Sequence, residues 1–145
     1  MTPRQSFRSE RGAELIEFAI VVPILLLLIS GIVDFGMMFR TYEAVTNAAR
    51  EGARVGVLPG YAPADVQARV NAYLGAAGLT GMRTINVANV PVATGAGTFT
   101  ARSVTVTYTY QFVVLGGIAP LFGGSFGTIP LQAISVMRIE AAAGP

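Results

Sequence analysis

The hydrophobic pattern changes character along the chain. From Phe18 to Val33 no residue is charged, and the run includes four successive leucines, Leu25 to Leu28. Sixteen residues fall short of the ~20 that an α-helix needs to cross a bilayer. Counting from Ala13 to Asp34 restores the length and puts Glu14, Glu17 and Asp34 near the two membrane interfaces. Glu17 and Asp34 are seventeen residues apart, or roughly 25 Å along a helix, against a hydrocarbon thickness of ~30 Å. A buried core helix could carry the same pattern, but the rest of so short a chain could hardly surround it. Pro23 lies inside the run and removes the bond to the Ala19 carbonyl, so a local kink is expected.

Beyond Asp34 the period becomes that of an amphipathic helix. Phe35, Met38, Tyr42, Val45, Ala49, Gly52 and Gly56 recur at three- and four-residue steps. Small residues line its second half: Ala48, Gly52 and Gly56 lie four apart, with Ala49 and Ala53 beside them. Such spacing lets another backbone approach closely. The stripe can pack on the chain's own sheet or on neighbouring subunits, and both are expected, on different faces. Arg50, Glu51 and Arg54 fall on the polar side, and Gly56 with Pro59-Gly60 ends the helix.

A second helix is expected from Pro63 to Ala77. Pro63 suits the first helical position, and Val66, Val70, Tyr73, Leu74 and Ala77 form one stripe. Gly78 suits the C-terminal cap, and Arg69 falls on the solvated face. Ile85 to Val92 reads as a first strand, with Pro91 favouring an edge or an end. Thr94 to Thr98 reads as a turn. Val104, Val106, Tyr108, Tyr110, Phe112 and Val114 then alternate with threonines and Gln111, giving a strand with one apolar face. Gly116 to Pro130 is a glycine-rich yet apolar loop, either in contact with a partner or the membrane or folded over the core. Leu131 to Glu140 closes as a strand, with Arg138 and Glu140 at an exposed end and Ala141 to Pro145 as a tail. The expected fold class is α+β: a long N-terminal helix and a short second helix packed on a small three-stranded antiparallel sheet. The expected organisation is a cytoplasmic leader over 1–12, assumed disordered, and a transmembrane helix over 13–36. The extracytoplasmic extension of that helix covers 37–57, and a small α+β domain covers 58–145.

Composition narrows the chemistry. The chain has 145 residues, a mean hydropathy of +0.58 and 12% charged residues, which suits an anchored protein. Without cysteine, disulfides, zinc ribbons and thiol nucleophiles are excluded; without histidine, the commonest general base and metal ligand are missing. Beyond Gly60 the only carboxylates are Asp65 and Glu140. A net charge of +2 from scattered arginines gives no nucleic-acid footprint. No enzyme activity, catalytic residue, cofactor or metal is expected; the protein is expected to act by assembling.

Arg4, Arg8 and Arg11, opposed only by Glu10, precede the apolar run and place the N-terminus in the cytoplasm. The downstream candidate for signal cleavage, Ser30-Gly31, is poor: Leu28 and Ile29 precede it and there is no A-x-A pattern. A different motif lies upstream: Gly12, then Ala13, with Glu17 fifth and Phe18 sixth after the glycine. This resembles the processing site of type IV pilin-like proteins. The whole order is Gly-Ala-x-x-x-Glu-Phe-Ala, a proline within a leucine-rich run, Gly31-Ile32-Val33-Asp34-Phe35-Gly36, and Asn47-Ala48-Ala49-Arg50-Glu51-Gly52-Ala53-Arg54. It resembles the TadE-like family, minor pseudopilins of the tight-adherence (Tad, type IVc) pilus system, over residues 12–54.

The resemblance implies a pilin-like fold and cleavage after Gly12 by a prepilin peptidase. It implies a place in Tad pilus assembly, and so in surface adhesion and biofilm formation. Glu17 and Phe18 would serve subunit assembly, with Glu17 meeting the new amino terminus of a neighbouring subunit. A carboxylate at the hydrocarbon edge is costly alone and far less so beside a cation. Ala48, Ala49, Gly52, Ala53 and Gly56 would serve helix packing. The implied partners are the peptidase, other pilin and pseudopilin subunits, the inner-membrane assembly platform and membrane lipid, with no nucleic acid. The implied location is the bacterial inner membrane, single-pass, and the extracellular pilus after assembly. Two other classes stay open: a permanently anchored accessory protein that binds a partner and never enters a filament, and an anchored enzyme, against which the missing histidine and sparse carboxylates argue.

Overall fold

The structure, a computed structural model, describes residues 7–95 and 97–139. The first six residues of the leader, Glu140 and the tail from Ala141 to Pro145 lie outside the described residues. The leader's remainder departs from expectation: helix α1, Phe7–Gly56, already includes residues 7–12. At 50 residues it is about 75 Å long and passes through Pro23 without interruption. The lost bond is tolerated because the rest of the ladder stays within the segment.

Helix α2, Pro63–Ala76, packs against the C-terminal half of α1. The Ala62 N–H donates to the Asp65 carboxylate at 2.9 Å, satisfying a donor at the helix start where the dipole also favours negative charge. Gly78, with φ of +77°, ends the helix. The Leu79 N–H reaches back to the Leu74 carbonyl at 2.9 Å, a Schellman closure. Val66, Val70 and Leu74 are fully buried, each contributing roughly 1.5–3 kcal/mol of transfer free energy.

Strands β1 (Arg83–Thr94), β2 (Gly97–Gln111) and β3 (Thr128–Arg138) form an antiparallel sheet in the order β1-β2-β3. Val104 lies opposite Val87 on one side and Ser135 on the other. The α+β layout is thus as expected, with β1 and β3 starting two and three residues before the alternation indicated. β2 starts seven residues early, at Gly97, so Thr94, Gly97 and Thr98 of the expected turn belong to the paired strands. The exception is the end of β2. Val114 does not continue the strand; it opens a short helix α3, Val114–Ile118, followed by a 3₁₀ turn, Ala119–Phe122. Part of the segment read as a loop from Gly116 is therefore helical.

Two clusters fill the space between α1 and the sheet. The larger joins Val45, Ala48, Ala49 and Ala53 of α1 to α2 and to Val104, Val106 and Ala133. The smaller joins Tyr110, Phe112, Leu115 and Leu131, with Met37 and Met38 of α1 beside it. It lies next to the apolar N-terminal part of the helix. The outer face of the sheet keeps its threonines half-exposed, and Ile134 and Val136 stand exposed beside them.

Candidate functional site

The candidate site is the length of α1, because every motif drawn from the sequence lies on it. Its N-terminal part is bare. Leu15, Ile16, Phe18, Ile20 and Ile24 are each more than 60% exposed. Only 6% of the most apolar 18-residue window is covered by the rest of the chain. A soluble core helix would be covered, so this is an apolar helix suited to a single-pass membrane anchor. Ala13, Glu14, Glu17 and Phe18 are all exposed, and Gly12 is half-buried. Ala13 and Glu17 lie four residues apart, on one face, roughly 6 Å along the axis.

The small-residue stripe has the opposite fate. Ala48, Ala49, Gly52, Ala53 and Gly56 are all buried inside the chain's own core. A Cβ at Gly52 would come within 2.5 Å of the Val70 Cγ2, and one at Gly56 within 3.1 Å of Val66 and Arg102. Glycine at these positions lets α2 and β2 approach the α1 backbone. Of the two destinations open from sequence, own sheet or neighbouring subunit, the stripe takes the first, so these five residues present no surface to another subunit. The expected apolar stripe also needs correction higher up. Phe35 and Tyr42 are exposed, and the buried positions are Ser30, Asp34 and Thr41. The Thr41 hydroxyl donates to the Met37 carbonyl at 2.9 Å, which lets a polar residue sit inward.

Asp34 is the residue of α1 that the sequence reading misplaced. Expected among lipid headgroups, it is fully buried instead. Its carboxylate accepts the backbone N–H groups of Val113 (3.1 Å), Val114 (3.1 Å) and Leu115 (2.6 Å), where α3 begins. The Tyr110 hydroxyl donates to the Asp34 carbonyl at 3.1 Å. Burial first, and then the nearby Asp34 charge, push the Tyr110 hydroxyl above its ordinary pKa. A buried carboxylate is costly unless hydrogen-bonded, and a helix start supplies unpaired N–H donors and a favourable dipole. This is why β2 stops at Gln111: the chain turns to place three consecutive N–H groups around one carboxylate. The available signal was a lone acid in an otherwise uncharged stretch, four residues after Ser30 and seven before Thr41.

At the far end of α1, Glu51 accepts from Arg54 at 2.7 Å and from Arg69 of α2 at 2.8 Å. Those hydrogen bonds, Arg54's first, hold its carboxyl at about 2. Arg69, read as merely solvated, thus ties α2 to α1.

All these features of α1, from Gly12 to Arg54, fall in one contiguous segment. Residues 12–54 match the family model of TadE-like proteins. The match bears out the resemblance read from the same residues. It includes the Gly12–Phe18 motif, the apolar run, Asp34 and most of the small-residue stripe; α2 and the sheet lie beyond it. No curated protein and no solved structure matches the chain. The TadE-like family suggests involvement in Tad pilus systems, with pilus subunits as partners in general terms.

Proposed function

We propose that this protein is a minor pseudopilin, cut after Gly12 by a prepilin peptidase and incorporated during Tad pilus assembly, where it serves surface adhesion and biofilm formation. The observation that carries the reading is the bare apolar half of α1, which the described residues leave almost uncovered and which bears a prepilin-type motif at its start. In the bilayer, lipid covers that surface; in a filament, helices of other subunits cover it. The domain is extracytoplasmic, the N-terminus cytoplasmic, and the membrane the inner one. Its partners are the prepilin peptidase, other pilin and pseudopilin subunits and the inner-membrane assembly platform. The protein acts without catalysis.

Glu17 is central to assembly. Exposed one helical turn after Ala13, it offsets the amine that cleavage creates, on a neighbouring subunit. The test is Glu17→Gln, which keeps shape and removes charge. Loss of the protein from sheared filaments, with its membrane level unchanged, supports the reading. Unchanged incorporation, or a protein that stays in the membrane in wild type as well as variant, favours the permanent anchor.

A further inference from the structure

The burial of Asp34 moves the outer edge of the apolar surface. With its carboxylate fully covered and bonded to three backbone N–H groups, Asp34 needs no water and marks no interface. The first exposed charge on α1 after Glu17 is then Arg40. These two are 23 residues apart, roughly 34 Å along the helix, which spans the ~30 Å hydrocarbon core with a small tilt. Between them Ile32 and Phe39 are 65% and 63% exposed.

The connection from β2 to β3 is folded down along this same stretch. Asp34 fixes its height, because Leu115 is bonded to that carboxylate. A cavity of about 610 Å³ separates the connection from α1, walled by Leu28, Ile32 and Phe35 on the helix and by Phe112, Leu115 and Phe126 opposite. It reaches from Leu27 to Phe39, twelve residues or roughly 18 Å of helix, close to half the ~30 Å hydrocarbon thickness. On its wall Phe126 is 46% exposed, and Val113, on the same connection but in a neighbouring groove with Met37 and Thr41, is 66% exposed. From Ser103 to Met137 the chain carries no charge at all. A soluble domain does not leave such a surface open to water. One wall of the groove is the membrane anchor itself, so its surroundings are those of the anchor.

We infer that the β2–β3 connection is a second membrane-embedded element, lying in the leaflet on the domain side, and that its groove holds an acyl chain of a membrane phospholipid. The domain therefore does not stand off the bilayer on the extension of α1. It is seated in the bilayer, and the seat is fixed by the Asp34 cap.

The sequence contains no tryptophan, so an introduced indole is the sole strong fluorophore. Phe126→Trp and Val113→Trp proteins, with Thr98→Trp at the far hairpin as reference, are reconstituted in phosphatidylcholine–phosphatidylglycerol vesicles with and without acyl-brominated lipid. The expected result is blue-shifted emission and loss of most intensity for the first two, with the hairpin indole unquenched. Filling the groove by Gly31→Leu, at a position with open space around its Cα, lowers the quenching of the Phe126→Trp indole. Solvent-like, unquenched emission from both connection variants overturns the inference. So does shielding that appears only as protein density in the vesicle rises, which gives the groove to a second copy, or quenching indifferent to Gly31→Leu.

Discussion

Leu115 donates its backbone N–H to the Asp34 carboxylate at 2.6 Å, across 81 residues of sequence. That bond and its two neighbours tie the Gln111 end of β2, and the connection that follows it, to the middle of α1. Asp34→Ala strands three donors. Each buried unsatisfied group costs about 1–3 kcal/mol, so a loss of at least about 3 kcal/mol is expected unless the connection comes loose first. Limited proteolysis checks this: cleavage between Phe112 and Gly127 precedes unfolding of the larger core. Asp34→Asn, which keeps one acceptor oxygen, falls between Asp34→Ala and wild type.

Gly52 and Gly56 separate two competing effects of Gly→Ala in a helix. Alanine gains about 1 kcal/mol of helix propensity. At Gly52 the new methyl meets Val70 at 2.5 Å in a fully buried core, and overpacking of that kind costs about 1–3 kcal/mol. Gly52→Ala is expected to lower the unfolding midpoint. At Gly56 the nearest atoms, at 3.1 Å, include the Arg102 Cγ of a longer side chain, and the two effects nearly cancel. Equal losses at the two positions would contradict the packing described.

Much of this was legible from residue pattern alone. The bare helix, the second helix with its buried Val66, Val70 and Leu74, and the alternation of β2 all follow from single periodicities of one chain segment. Asp34 was not legible because its partners are backbone groups, which carry no sequence signature. The small-residue stripe was visible, but its destination was not: close packing on α2 and close packing on another subunit ask for the same glycines. The Glu51–Arg69 tie needed the tertiary placement of α2 on α1.

The acid limb of stability follows from Glu51. Its folded carboxyl is held at about 2, below the ordinary 4.5, by hydrogen bonds from Arg54 and Arg69. A depressed carboxylate stabilises the fold fully above its unfolded value and loses that contribution as pH falls through its folded one. The loss is therefore expected between about pH 4.5 and about pH 2. It is modest, because Arg54 and Arg69 are exposed and screened by salt. Thermal unfolding of wild type and Glu51→Gln across that window checks it: their difference shrinks as pH drops and as salt rises.

The most direct measurement is the intact mass and N-terminal sequence of the protein recovered from its native envelope. A chain that begins at Ala13 with the apolar run retained is the expected result. It would give Glu17 its amine partner and leave only the place in the filament to determine. A chain still carrying residues before Ala13 would contradict prepilin-type processing and support a permanent anchor. A chain that begins beyond Ser30 would contradict assembly through α1 altogether.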